Sequence, residues 1–379
     1  MSNKKLLFLS ILFSLGLLEF GLYFATELEI LSIERPSYSI DHVVPFWVNN
    51  NEHFGVWHPP NDKYTHSKAC FKLEYRSNRW GARDRERELK SAGSRVVVLG
   101  DSFVEGFGVK REERFSDILE QRTGMEHLNF GTSGHFGPTQ YSLLYQHLAS
   151  RFEHDRVIVA ILPNNDFKDD DFERGKRKYS SHYRPYYVGS YPDYKLVYFR
   201  KDLDLPKAKL WIKYTQGWLR EFTYMGRTYE YFKALREHAE AEREVASASA
   251  GPQVDRAGSK FYDFTDSEFN RMRFSLERIV KLAGKRKVLF VTIPRTSDFL
   301  RYAQDGPAPL AQRLGKLANS VGASYVDLLS LMAGATKEQS NYFLSCDDHW
   351  NGIGNTAAAD FIQQSPLVLM IWRRDAGNQ

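Results

Sequence analysis

The fold of this 379-residue chain is constrained most strongly by five short runs that we predict to be strands, separated by stretches with helical periodicity. Three of these runs consist mainly of aliphatic and β-branched residues. The first run, Arg95-Val-Val-Val-Leu99, has no polar alternation, which is typical of a strand buried on both faces of a parallel sheet. The other runs lie at 125–130, 156–162, 287–293 and 324–328. Because parallel strands need crossover connections, we predict a three-layer α/β/α, flavodoxin-like parallel sheet.

Helical stretches lie between these strands, near 113–122, 139–152, 267–282 and 310–321, with a final helix at about 354–364. Between Phe167 and Phe264 the alternation stops, so we predict an inserted aromatic and helical segment at 168–263. An amphipathic run at 210–235 lies inside this insertion. We expect it to pack against its own domain, with a position at a membrane interface as the alternative.

The N-terminus carries an apolar run, Leu6 to Ala25, directly after Lys4 and Lys5. About twenty apolar residues are enough for a helix to cross the hydrocarbon core of a bilayer. Glu19 interrupts the run, and an acid at that depth is costly unless it protonates or faces a partner. We predict an uncleaved signal anchor at 1–26, with its basic end inside. A cleaved signal peptide and a buried core helix are the alternatives.

The rest of the chain is divided by composition. A turn-rich, aromatic juxtamembrane arm is expected at 27–93, a main α/β domain at 94–366 and a short tail at 367–379.

The net charge of +5 is small, and basic residues do not cluster around a nucleic-acid-reading motif, so a nucleic-acid partner is not expected. His and Cys residues lack the spacing of zinc ligands, and we expect no metal or other cofactor.

The chain has two cysteines, Cys70 and Cys346. Two buried free thiols are one interpretation. An exported chain makes a disulfide between them the other interpretation, because disulfides persist in oxidising compartments.

Polar motifs follow three of the predicted strands, and a fourth precedes the last helix. They are Gly100-Asp-Ser102, Asn129-Phe-Gly-Thr-Ser-Gly134, Pro163-Asn-Asn-Asp166 and Cys346-Asp-Asp-His-Trp-Asn351. Each is a weak signal alone, because such residues are common in helix caps and turns. Their order along an α/β chain is informative, because the carboxyl ends of parallel strands form one edge where ligands bind.

In this combination the chain resembles the SGNH/GDSL hydrolase superfamily over roughly 94–167 and 265–365. The Asp-x-His-Trp spelling is similar to that of the alginate O-acetylation proteins and other membrane-anchored bacterial relatives. The resemblance implies that Ser102 is the nucleophile, His349 the base and Asp347 the acid, with Asp348 as a substitute. The commonest pattern of the family places the acid three residues before the histidine, where this chain has Cys346.

The resemblance also implies an oxyanion hole formed by the backbone N–H groups of Ser102 and Gly134 and the side-chain amide of Asn165. Asp101 is expected to hold the turn without a catalytic role. The family prefers glycine directly before the Asn-Asp pair that matches Asn165-Asp166, and this chain has Pro163-Asn164 there. A further segment, 78–84, recurs in anchored look-alikes; we expect it to form a turn, with Arg83 facing an anionic substrate as the alternative.

The function implied is a serine esterase that removes O-acetyl groups from an envelope glycan through an acyl-serine intermediate. Trp350 and the anchor favour an alternative, O-acetyl transfer to a polysaccharide. A lipid or lysophospholipid esterase and a catalytically silent glycan-binding scaffold are further alternatives. The expected partners are an acylated carbohydrate or lipid and the membrane. The expected location is the inner membrane, single-pass, with the catalytic domain on the periplasmic side.

Overall fold

The computed structural model describes residues 3–28, 30, 31, 33, 36, 46–68, 70–178, 183–199, 219, 222–229, 231, 232, 258–336, 338–345 and 347–364. Cys346, the predicted tail 367–379 and most of the amphipathic run at 210–235 lie outside the described residues. The chain divides into two compact units. The first comprises 1–41, 65–74 and 204–255, and the second comprises 42–64, 75–203 and 256–379.

The first unit contains the N-terminal helix α1 (Asn3–Glu27). Its 25 residues are long and apolar enough to span a membrane or to act as a signal anchor. The aliphatic and aromatic side chains along it are largely exposed, as in a helix that has no protein core around it.

The strands follow in chain order: β1 (Val48–Asn51), β2 (Gly55–Trp57), β3 (Lys63–Lys68), β4 (Phe71–Arg76), β5 (Arg95–Gly100), β6 (Glu126–Gly131), β7 (Arg156–Ile161), β8 (Arg184–Val188), β9 (Lys195–Phe199), β10 (Lys287–Thr292), β11 (Ser324–Asp327), β12 (Phe343–Leu344) and β13 (Asp347–Trp350). Five of them form a parallel sheet in the order β11-β10-β7-β5-β6. Numbered along the chain, this is the 2-1-3-4-5 order of flavodoxin-like sheets. The predicted fold class is therefore confirmed.

The helices after α1 are α2 (Ser102–Glu105), α3 (Phe115–Thr123), α4 (Pro138–His147), α5 (Pro163–Asp169), α6 (Phe172–Lys178), α7 (Asp266–Ala283), α8 (Thr296–Asp305), α9 (Pro309–Val321), α10 (Leu328–Ala335) and α11 (Gly352–Gln364). One group, α4, α7 and α9, packs together, and a second group is formed by α3, α10 and α11. β5 and β7 are buried along their whole length, as expected for strands with helices on both faces.

Within the described residues, four antiparallel strand pairs lie outside the sheet: β1 with β2, β3 with β4, β8 with β9, and β12 with β13. Two of these pairs fall in the arm at 27–93, where the sequence showed no strand periodicity. The β8–β9 pair lies in the predicted insertion, so the insertion is not wholly helical within the part that is described. The β12–β13 pair carries the Asp-x-His-Trp motif.

Cys70 is disulfide-bonded, as the predicted bridge requires. Cys346, its predicted partner, lies outside the described residues, so the pairing itself stays a prediction.

Candidate active site

Ser102 lies at the carboxyl edge of the parallel sheet, immediately after β5. A Cβ atom on Gly100 would lie 2.3 Å from a methyl group of Val104, so the turn into α2 requires glycine there. Asp101 is the N-cap of α2, and its Oδ1 accepts a hydrogen bond from the backbone N–H of Phe103 at 3.0 Å. This contact confirms that Asp101 holds the turn. Ser102 is thereby fixed as the first residue of a short helix.

His349 reaches Ser102 from the β12–β13 hairpin, 247 residues further along the chain. Its Nε2 lies 2.7 Å from the Ser102 hydroxyl oxygen. Its Nδ1 is hydrogen-bonded to Oδ1 of Asp347, and the same oxygen accepts the backbone N–H of His349 at 3.1 Å. The serine, the imidazole and the carboxylate thus form one continuous hydrogen-bonded relay.

Asp348 takes no part in this relay. Its carboxylate accepts hydrogen bonds from Arg295 Nε at 2.6 Å, from Thr296 Oγ1 at 2.6 Å and from the Thr296 backbone N–H at 3.2 Å. Successive side chains of a strand point to opposite faces, so Asp347 and His349 share one face of β13 and Asp348 lies on the other. The geometry favours Asp347 as the acid.

Aromatic rings support the imidazole of His349. Phe107 stacks on it with a centroid distance of 4.2 Å, and Phe103 lies 4.7 Å away. Trp350 is only 2% exposed and packs edge-on against Phe103 at 5.1 Å. Trp350 therefore supports the base from within the core and is not available to contact an acyl acceptor.

The predicted oxyanion donors follow the neighbouring strands β6 and β7. Gly134 has φ of 96°, a left-handed conformation that favours glycine, and a Cβ there would lie 2.9 Å from Val56. Asn165 lies in the first turn of α5, near enough to Asp101 for its side chain to lower the pKa of that carboxyl. A side-chain amide has two N–H groups that can donate to an acceptor.

Burial has the largest effect on the pKa of the Asp101 carboxyl. Desolvation raises its pKa to about 7, and the nearby charge of Asp169 adds to the increase, against the opposing hydrogen bonds from Phe103 and Asn165. Its second oxygen, Oδ2, has no hydrogen-bond partner within the described part of the chain. An ionised carboxylate is therefore poorly accommodated directly behind the nucleophile.

Glu105 is a buried group whose role the sequence did not reveal. Its carboxylate accepts hydrogen bonds from the Ser133 N–H at 2.6 Å, from the Ser133 hydroxyl and from Trp47 Nε1 at 3.0 Å, and it faces His58 Nε2 at 3.1 Å. Burial would raise its pKa, but the hydrogen bond and charge of His58, with Arg83 and Ser133, outweigh this and lower it to about 2. The ionised carboxylate thus ties α2 to the residue just before Gly134.

Arg83 stabilises the end of α2 and the loop after it by hydrogen bonds to the backbone. Its guanidinium donates to the carbonyl oxygens of Glu105, Gly106 and Val109, each at 2.7 Å, and lies over the Tyr75 ring at 3.5 Å. Arg83 is buried, so the interpretation that it faces an anionic substrate is wrong. The Asn78 Oδ1 atom accepts the Ala82 N–H at 3.0 Å, which confirms the turn predicted for 78–84.

An open depression of about 740 Å³ lies beside Asp347. It is lined by seven polar and three apolar residues, which are Thr296, Ser340, Asn341, Phe343, Leu344, Ser345, Asp347, Asp348, Asn351 and Ile353. Among the described residues, no group of three or more His, Cys, Asp or Glu side chains is placed to hold a metal ion.

The sequence matches no family model and no curated protein. Solved structures similar to this chain include a lipolytic protein of the G-D-S-L family from Veillonella parvula, with 10% identity, a TM-score of 0.38 and coverage of 72% of this chain and 98% of that one. A lipase/acylhydrolase from Enterococcus faecalis has 13% identity, a TM-score of 0.36 and coverage of 74% and 96%. A carbohydrate esterase family 2 enzyme from Corynascus thermopiles has 12% identity, a TM-score of 0.37 and coverage of 75% and 68%. Identities and TM-scores this low decide no activity, which depends on the site geometry itself.

Proposed function

We propose that this chain is a serine esterase that works through an acyl-Ser102 intermediate. The observation that carries the proposal is the relay from Ser102 through His349 to Asp347, with 2.7 Å between the hydroxyl oxygen and Nε2. A serine hydroxyl is a weak nucleophile until a base accepts its proton, and a carboxylate on the other ring nitrogen fixes the tautomer and stabilises the imidazolium that forms.

The reaction follows from these positions. His349 Nε2 accepts the hydroxyl proton while the Ser102 oxygen bonds to the ester carbonyl carbon, whose oxygen becomes the oxyanion. When the tetrahedral intermediate collapses, the bond to the leaving alcohol breaks and the alcohol takes the proton from His349. Water then repeats the sequence on the acyl-serine and releases the carboxylic acid.

The oxyanion would be held by the N–H groups of Ser102 and Gly134 and by the amide of Asn165. These three groups follow β5, β6 and β7, which are neighbours in the sheet. Removing one such donor from a serine hydrolase costs about 2.7–4 kcal/mol of transition-state stabilisation.

An O-acetylated glycan is the substrate class that we propose. Support comes from the depression beside Asp347, whose lining carries hydroxyl, amide and carboxylate groups that can hydrogen-bond to a hydroxyl-rich ligand. We further propose that α1 anchors the chain in the inner membrane, with the catalytic domain on the periplasmic side.

Transfer to a sugar hydroxyl instead of water is ranked second. Trp350 and the anchor favoured this reaction in the sequence, but the burial of the Trp350 side chain against Phe103 removes its support and leaves only the anchor. An acceptor titration separates the two reactions. Acetate release that does not depend on the acceptor glycan supports the esterase. Acyl-Ser102 that accumulates in water and clears when the glycan is added would instead establish a transferase.

The relay itself is tested with Ser102→Ala, His349→Ala and the double variant. Each single change is expected to reduce turnover of acetylated sugars to near background, and the double variant to be little worse, because the members of a triad act as a unit. Additive losses would contradict the assigned roles. Turnover of phospholipids but not of acetylated sugars would move the substrate to lipids, and no turnover of any ester would favour a silent binding scaffold.

A further inference from the structure

Glu19, the single acid within the apolar run of α1, has partners elsewhere in the same compact unit. The Glu19 carboxylate accepts the backbone N–H of Tyr224 at 2.5 Å through Oε1 and that of Met225 at 3.0 Å through Oε2. Residues 224–229 are helical, so these are the first N–H groups of a helical turn, which have no partner within the turn. Both carboxylate oxygens and both backbone donors are satisfied by this one contact.

The surrounding packing shows that this contact belongs to an interface. The partly shielded or buried residues in the second half of α1 are Glu19, Leu22, Ala25 and Thr26, a spacing that places them on one face of the helix. Tyr224 is buried and meets the Tyr23 ring edge-on at 5.6 Å. The rest of α1 is exposed.

The position of Glu19 fixes the depth of this interface in a bilayer. Glu19 lies six residues before Ala25, where the apolar run ends, which is about 9 Å at 1.5 Å per residue. If α1 spans the membrane, the backbone of Tyr224 and Met225 must lie at the same depth. An unpaired carboxylate or unpaired backbone N–H is costly there, and each supplies what the other lacks.

We propose that residues 222–229, 231 and 232, here called the docking segment, form a second membrane-embedded element. It lies against α1 in the half of the bilayer nearest Glu27, and its free side contacts lipid acyl chains. Tyr229 is 67% and Phe232 55% exposed, so both present apolar surface that lipid can cover. The inference rests on the proposed membrane span but not on the proposed esterase activity.

Lipid contact is measured on the full chain in vesicles of phosphatidylcholine and phosphatidylglycerol. A fluorophore is attached to Tyr229→Cys and quenched by lipids that carry a nitroxide on the acyl chain. Lys316→Cys, exposed on α9, is the matched control, and Phe13→Cys reports on α1 itself. The unmodified chain gives the background label. We expect the label at Tyr229 to be quenched several-fold more strongly than the label at Lys316, and at any ratio of protein to lipid.

Substitutions of Glu19 test how the docking segment is held. Glu19→Leu removes both acceptors, so quenching at Tyr229 should fall towards the Lys316 level. Glu19→Gln keeps one acceptor oxygen and should give an intermediate value. The far-ultraviolet circular dichroism of each variant, compared with that of the unmodified chain, confirms that it is folded.

The outcomes separate the inference from the proposals on which it depends. Quenching at Phe13 but not at Tyr229 would overturn the docking segment and leave the membrane span intact. Quenching at neither position would overturn both. Weak quenching at Tyr229 that becomes strong only when the protein is diluted in lipid would mean that a second copy covers this face, and full quenching in Glu19→Leu would overturn the role of Glu19.

Discussion

Replacing Asp101 by asparagine is expected to stabilise the fold above neutral pH. Asparagine has the same shape, and its side-chain oxygen can still cap α2 by accepting the Phe103 N–H. What it lacks is the charge, which burial disfavours so strongly that the pKa of Asp101 rises to about 7 from the ordinary 3.8. At 1.36 kcal/mol for each pKa unit, this difference corresponds to about 4 kcal/mol.

The sign follows from proton linkage. A carboxyl whose pKa is raised by folding holds its proton more tightly in the folded state, so its contribution to stability is fully present below 3.8 and is lost as the pH rises through about 7. In the native chain this loss is expected between those two values. In Asp101→Asn it should be absent, and above pH 7 the variant should be the more stable protein by up to about 4 kcal/mol.

Denaturant unfolding of the purified full chain in a mild detergent, at about pH 5 and about pH 8, measures this difference. Asp193→Asn, an exposed position in the turn between β8 and β9, is the control and should leave the pH profile unchanged. If Asp101→Asn lost as much stability as the native chain between the two pH values, Asp101 would not be the group that titrates.

Three further predictions concern the relay, its support and the cysteines. Asp347→Asn should lower kcat by about four orders of magnitude, because the imidazole loses its tautomer-setting partner, whereas Asp348→Asn should keep kcat within a few-fold. Glu105→Gln places an amide NH₂ among N–H donors, so the free energy of unfolding should fall by about 3 kcal/mol and kcat should fall with little change in KM. Thiol labelling of unreduced, denatured chain should find neither Cys70 nor Cys346 free.

Each of these has a result that would contradict it. A larger loss in Asp348→Asn than in Asp347→Asn would reverse the assignment of the acid. If Glu105→Gln lowered the free energy of unfolding but left kcat unchanged, Glu105 would stabilise the fold without positioning the segment that carries Gly134. Two labelled thiols in each chain would disprove the bridge.

The parallel sheet was predictable because its signal is local. A strand buried on both faces needs an unbroken apolar run, and β5, β7 and β10 each lie within two residues of the predicted bounds. The hairpins of the arm carry no such signal. β1 has the sequence Val-Asn-Asn-Asn and is formed by its pairing with β2. In the turn between the two strands, the Asn51 side-chain oxygen accepts the His53 N–H.

The candidate site likewise contains residues that the sequence predicts and one that it does not. Ser102, His349 and the two candidate acids stand in the motifs that carry the family resemblance, and the choice between Asp347 and Asp348 needed only the knowledge that 347–350 is a strand. Glu105 stands in none of these motifs, and its partners come from segments 28 to 58 residues away. Contacts over that separation depend on the folded chain and leave no periodic pattern.

The distance of 247 residues between Ser102 and His349 has a consequence for biogenesis. Ser102 and the strands that precede the proposed oxyanion donors are synthesised well before His349 and Asp347. A chain still being synthesised therefore holds the proposed nucleophile without its proposed proton acceptor. On the proposed mechanism, ester hydrolysis requires that the β12–β13 hairpin has docked beside Ser102, so a nascent or prematurely terminated chain is expected to be inactive.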